Sequence, residues 1–160
     1  MTRELKAGRV APQSGQVKSV VVFLHGYGAD GADLLGLADP LAPHLPDTLF
    51  IAPDAPEPCA GNPFGRQWFP IPRLDGSSEA ESAAGLRRAA ADLDAFLDGV
   101  LADEGLSAAQ MALVGFSQGT MMSLEVAPLR DEPVACVVAF SGRLLRPDAL
   151  AEEAVSKPPV

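Results

Sequence analysis

At 160 residues, 48% of them apolar and 21% charged, the chain has the make-up of one globular domain with a core of its own, not of a disordered segment. A net charge of −9 without any basic cluster argues against nucleic acid as a partner, and no apolar run approaches the ~20 residues needed to span a bilayer. Two cysteines, Cys59 and Cys136, make no disulfide framework, and two distant histidines make no metal site, so a reduced, cytoplasmic setting is expected.

Residues 1–18 are polar and broken by Gly and Pro, with a short edge hairpin expected around Leu5 to Val10. Ser19 to His25 is an unalternating run of β-branched and apolar residues, the pattern of a strand covered on both faces. Gly26-Tyr-Gly-Ala-Asp-Gly31 is a glycine loop. Asp30 or Asp33 is placed to cap a following helix that carries Leu34, Leu35, Leu37 and Leu41 and ends at Pro43 and Pro46. Thr48 to Ala52 is a second buried strand.

From Pro53 to Ser78 runs a long irregular segment rich in Pro and Gly. Its Trp68-Phe69 pair argues for order, because aromatics of that size are costly to leave in water. Glu79 to Asp103 is the clearest helix, with Leu86, Ala90, Leu93, Leu97 and Val100 at helical spacing and Gly105 as its stop. Met111 to Val114 is a third short strand, and a helical pattern runs from Thr120 to Ala127. Val134 to Phe140 is a fourth buried strand, in which Cys136 reads as a small core residue. Pro147 to Val155 is a short helix. Strands and helices alternate without repeats over 1–160, which specifies a single α/β domain with a mostly parallel sheet. In such sheets the working groups gather beyond the carboxyl ends of the strands.

Two glycine-rich turns fall at such ends. Gly115-Phe-Ser117-Gln-Gly119, between strand and helix, has the form that holds a serine on a strained turn at a helix N-terminus. Gly26-x-Gly28-x-x-Gly31 admits two readings. It matches a dinucleotide fingerprint, with Asp54 near the spacing of a ribose-binding acid. Yet Asp30 and Asp33 stand where the phosphates would sit, and no basic residue balances them. Alternatively, His25-Gly26-Tyr27-Gly28 is an oxyanion loop, which with the N–H of Gln118 stabilises a tetrahedral oxygen. His25 is then a loop-orienting residue and not a base, and His44 is a surface histidine.

With both loops the chain resembles the phospholipase/carboxylesterase family of α/β-hydrolases, which includes bacterial carboxylesterases and acyl-protein thioesterases. The matching residues are Leu24-His-Gly-Tyr-Gly-Ala-Asp-Gly31, Pro53-Asp-Ala-Pro56, Arg66-Gln-Trp-Phe69, Gly115-Phe-Ser-Gln-Gly-Thr-Met121 and Phe140-Ser-Gly142. The resemblance implies an α/β-hydrolase-type doubly wound sheet and a cofactor-free serine carboxylesterase or thioesterase acting on short-to-medium acyl esters, thioesters or lysophospholipids. It makes Ser117 the nucleophile, the N–H groups of Tyr27 and Gln118 the oxyanion hole, and Trp68 with Phe69 the wall of an acyl pocket.

One departure qualifies this. A serine needs a base, the base needs an acid, and in α/β-hydrolases both follow the nucleophile in the chain. No histidine follows Ser117. The expectation is therefore a domain without its C-terminal strands and helices, with the triad Asp and His beyond residue 160 and the chain alone nearly inactive. An encoded short form that only binds acyl ligands or a partner is the alternative. An uncovered sheet edge would also offer a surface on which two copies could pair as a homodimer.

Overall fold

The computed structural model describes all 160 residues. In chain order the elements are β1 (Ala7–Val10), β2 (Ser19–Leu24), α1 (Gly31–Leu35), α2 (Ala38–Leu41), β3 (Thr48–Pro53), β4 (Glu57–Cys59), β5 (Asn62–Gln67), α3 (Pro72–Asp75), α4 (Glu79–Glu104), β6 (Met111–Phe116), α5 (Gln118–Val126), β7 (Cys136–Phe140) and α6 (Pro147–Glu153). Five strands form one sheet in the order β1-β3-β2-β6-β7, and β4 with β5 form a separate hairpin. β2, β3, β6 and β7 are parallel, and β1 joins β3 antiparallel. The α/β class expected from the alternation is thus the architecture observed.

The unalternating strands are explained by cover on both faces. Val20, Val22 and Leu24 of β2 enter one apolar cluster with Leu93 and Leu97 of α4 and Met122 of α5. Val21 and Phe23 enter a second with Ala38, Ala42 and Phe50. The Phe23 and Phe50 rings stack at 6.0 Å between centroids. Each fully buried leucine of this kind contributes about 1.5–3 kcal/mol. α4 begins at a capping box of Ser78 and Glu81 and ends at Gly105 in the left-handed region. Asp92 on its buried side pairs with Arg3, fastening the amino-terminal segment across the helix.

Four local expectations need correction. The residues before Val10 make no hairpin; they form the edge strand β1, in register with β3 from Ala7↔Pro53 to Val10↔Phe50. The helix expected over Leu34–Leu41 is two short pieces, α1 and α2. Gly36 weakens its middle and Pro40 brings no N–H to continue the ladder. The segment after Pro53 holds the β4–β5 hairpin, whose period is hidden by Pro58, Pro63 and a register shift between Pro58 and Cys59. Finally, β7 is an edge strand, buried by α5 at Val137 but exposed at Val138 and Phe140. No helix covers that side of it, and Cys136 is only half-buried, whereas Cys59 is the buried cysteine.

Candidate active site

Ser117 directly follows β6 and stands at φ 53°, ψ −113°, outside the regions open to most L-residues. Strain of this kind costs about 1–3 kcal/mol and persists only where neighbours enforce it. The Ser117 N–H donates to the Phe140 carbonyl at 2.9 Å, and the Ser117 carbonyl accepts from the Met121 N–H at 3.1 Å. The buried hydroxyl of Thr120 lies 2.7 Å from both the Gly115 and Phe140 carbonyls. A Cβ at Gly115 would stand 2.6 Å from the Thr120 backbone, and one at Gly119 would collide with the Leu24 carbonyl. Both glycines are therefore steric requirements of the turn. The Ser117 side chain occupies the N-cap position of α5 but makes no capping bond, so its hydroxyl is free for chemistry.

The loop after β2 lies directly beside it. A Cβ at Gly26 would sit 3.4 Å from the Ser117 Cβ. His25 is wholly buried, with Nδ1 2.8 Å from the Gly26 carbonyl and Nε2 accepting from the Ala55 N–H at 2.9 Å. The second bond assigns the proton to Nδ1, which donates to Gly26. Both nitrogens are thus used in shaping the loop. Gly28, at φ 82°, closes the turn. Its N–H donates to the Arg66 carbonyl at 2.8 Å, and its own carbonyl accepts from Asn62 Nδ2 at 2.9 Å. Arg66 N–H in turn donates to the Ala29 carbonyl at 2.7 Å. The β4–β5 hairpin therefore clamps the glycine loop from outside. What remains is the Tyr27 N–H, which has no acceptor in the chain, beside the Gln118 N–H, which as the first residue of α5 has none within its helix.

Burial holds His25 below its ordinary pKa of 6.5, outweighing the pull of Asp54, Asp30 and Asp33. A histidine depressed on folding contributes its stability while neutral, above about pH 6.5, and that contribution is lost as pH falls through the folded value. His25→Gln should therefore destabilise the chain more at pH 7.5 than at pH 5.5 in urea titrations. An equal cost at both pH values would contradict a buried neutral imidazole.

Trp68 and Phe69 do not wall an open pocket. Both are buried in the main core, Trp68 completely. The Trp68 indole N–H donates to the His25 carbonyl at 3.0 Å, and its backbone N–H donates to Gln118 Oε1 at 2.8 Å. Gln118 Nε2 donates to the Phe69 carbonyl at 2.8 Å. These residues bracket the glycine loop and the nucleophile turn from beneath. The Gln118 side chain is a functional residue that sequence reasoning misses; its signal is an amide beside the serine of a turn packed against the core, which a buried site must satisfy.

The dinucleotide reading of Gly26, Gly28 and Gly31 does not fit. Asp54 Oδ1 accepts the Gly31 N–H at 2.9 Å and Asp30 Oδ1 accepts the Asp33 N–H at 3.0 Å, so two carboxylates hold the helix end a pyrophosphate would need. A Cβ at Gly31 would collide with the Ala52 carbonyl, so this glycine serves packing. No base stands beside Ser117 either. His25 has no free nitrogen, and the exposed His44 precedes β3, at the opposite ends of the parallel strands.

The family model for phospholipase/carboxylesterase proteins matches residues 5–159. Among curated proteins the chain is 33% identical over 129 residues to esterase YpfH of Escherichia coli (strain K12), covering 79% of this chain and 53% of that protein. It is 29% identical over 136 residues to acyl-protein thioesterase 1 of Yarrowia lipolytica, covering 82% and 60% respectively. Among solved structures, esterase PE8 superposes with a TM-score of 0.92 at 45% identity, over 99% of this chain and 73% of that one. The chain thus spans between half and two-thirds of the length of the curated relatives it matches. No helix is long and apolar enough to cross a membrane.

Proposed function

Because the chain belongs to the phospholipase/carboxylesterase family, we propose that it carries the nucleophile and oxyanion half of a serine esterase acting on short-to-medium acyl esters or thioesters. The observation that carries this is the meeting of two loops: a strained serine with an unspent hydroxyl beside two backbone N–H groups without acceptors. In the reaction Ser117 Oγ bonds to the acyl carbon, the carbonyl π pair moves to oxygen, and the N–H groups of Tyr27 and Gln118 receive that charge. Collapse breaks the bond to the leaving group, which takes up the proton the base removed from Ser117. Water then releases the acid from the acyl-serine by the same path. His25, Gly26 and Gly28 shape the donor loop, while Trp68, Phe69 and Gln118 hold it against α5. Two unpaired cysteines suit a cytoplasmic setting.

The base and its acid are proposed to come from outside these 160 residues. The chain alone should then hydrolyse p-nitrophenyl butyrate about a million-fold below a complete triad enzyme, keeping only ~10³–10⁴ over water. Free imidazole is the test. It should raise hydrolysis by up to about 10²-fold over the sum of imidazole and chain measured separately, the low end of what a general base contributes. Ordinary enzyme rates without imidazole would refute the missing base. Strict additivity with imidazole would refute a competent Ser117.

A further inference from the structure

We propose that Ser141 is a specificity-determining residue whose hydroxyl hydrogen-bonds the alcohol-derived part of the ester, selecting hydroxyl-bearing alcohols over plain alkyl ones. The proposal rests on the acyl-transfer reading of Ser117. Only two non-glycine residues have positive φ, Ser117 and Ser141, and both stand at 53°. They are neighbours by register. Phe116 of β6 pairs with Phe140 of β7, so the two serines end adjacent parallel strands side by side, and the Phe140 carbonyl holds the Ser117 amide.

Their strain has different company. At Ser117 the turn is enforced from all sides. At Ser141 it lets the chain double back, so that Gly142 packs where a Cβ would collide with Thr120 and stand 2.9 Å from the Ser117 carbonyl. A glycine at 141 would adopt the same turn without penalty. Asn and Asp can offset a positive φ with a local hydrogen bond, but Ser141 is exposed and its hydroxyl bonds nothing in the chain. The side chain therefore has a donor and acceptor to offer and no structural use for them.

Its position decides what it can meet. Across the carboxyl ends the order is the Tyr27 loop after β2, then Ser117 after β6, then Ser141 after β7. With the oxyanion directed towards Tyr27 and Gln118 on the β2 side, the β7 side, where Ser141 stands, is left for one of the two remaining arms of the tetrahedral carbon. An alkyl acyl arm would strip water from the hydroxyl and return no hydrogen bond. An alcohol arm that carries hydroxyls can return one.

Because the chain alone should turn over substrate only at a small residual rate, binding can be read at equilibrium. Glycerol monobutyrate and propyl butyrate are titrated into the unaltered chain, Ser141→Gly and Ser141→Ala, with ligand NMR as the readout. The unaltered chain should bind the glyceryl ester about threefold to tenfold more tightly, the effect of one hydrogen bond. Both variants should lose that preference while still binding propyl butyrate. Ser141→Gly should keep or raise the melting temperature, which separates loss of the contact from loss of the fold. Equal binding of the two esters by the unaltered chain, or a preference retained in Ser141→Gly, would overturn the role of Ser141 and leave the acyl site standing. Failure of the unaltered chain to bind either ester would overturn both.

Discussion

With imidazole supplied, Ser117→Ala should hydrolyse p-nitrophenyl butyrate no faster than the sum of free imidazole and the small residual rate of the chain alone, a loss of about 10²-fold from the unaltered chain. The size follows from what the base does. Imidazole in solution attacks the ester itself, slowly, and that background is common to both proteins. On the proposed mechanism the excess belongs to a serine whose proton imidazole removes while Tyr27 and Gln118 stabilise the oxyanion. Removing one atom, the Ser117 Oγ, ends this route without touching the backbone. The alanine variant should also relax some of the strain at φ 53° only if the turn could move, and the Phe140 carbonyl, the Thr120 hydroxyl and Gly119 all oppose that. Its melting temperature should therefore stay within a few degrees of the parent. A variant that lost activity by unfolding would fail that control.

Gly119→Ala should have the largest effect on stability, more than about 3 kcal/mol in urea denaturation, with complete loss of imidazole-dependent turnover. Ordinary overpacking costs about 1–3 kcal/mol because side chains give way. Here the new methyl meets the carbonyl of Leu24 and stands 2.8 Å from that of His25. Neither can retreat: Leu24 is paired in the sheet with Gly115, and His25 is fixed through both ring nitrogens. α5 must therefore lift from the end of β2, carrying the Gln118 N–H away from that of Tyr27. Gly99→Ala is the matched control. It sits in α4 with open space around the added Cβ, so it should stabilise by about 0.5–1 kcal/mol. Equal effects at the two positions would mean that Gly119 is only a helix residue and the docking of α5 on β2 is not what sets the site.

How far the sequence reveals this arrangement depends on the range of the forces involved. The strands at Val20–Leu24 and Leu49–Ala52 and the long helix at Glu79 are local statements of pattern, and they stand where the periodicity places them. The Gly115–Gly119 turn is equally local, because strand, glycines and helix adjoin. The β4–β5 hairpin is not. Its strands are short, Pro58 and Pro63 interrupt them, and its partner is the Gly28 loop more than 30 positions earlier in the chain. Trp68 shows the same limit. The family resemblance makes it a pocket wall, whereas the indole satisfies the His25 carbonyl inside the core. Ser141 is the converse case: Phe140-Ser-Gly142 carries part of the family resemblance but no role, and the φ of 53° and the register with Ser117 are visible only in the structure.

The most direct test is peptide mass mapping after incubation with p-nitrophenyl butyrate and imidazole, quenched in acid to preserve an acyl-serine. The expected result is a butyryl group on the peptide containing Ser117, absent from both Ser117→Ala and Gly119→Ala. No adduct, or an adduct on another residue that persists in Ser117→Ala, would contradict the assignment of Ser117 as the nucleophile.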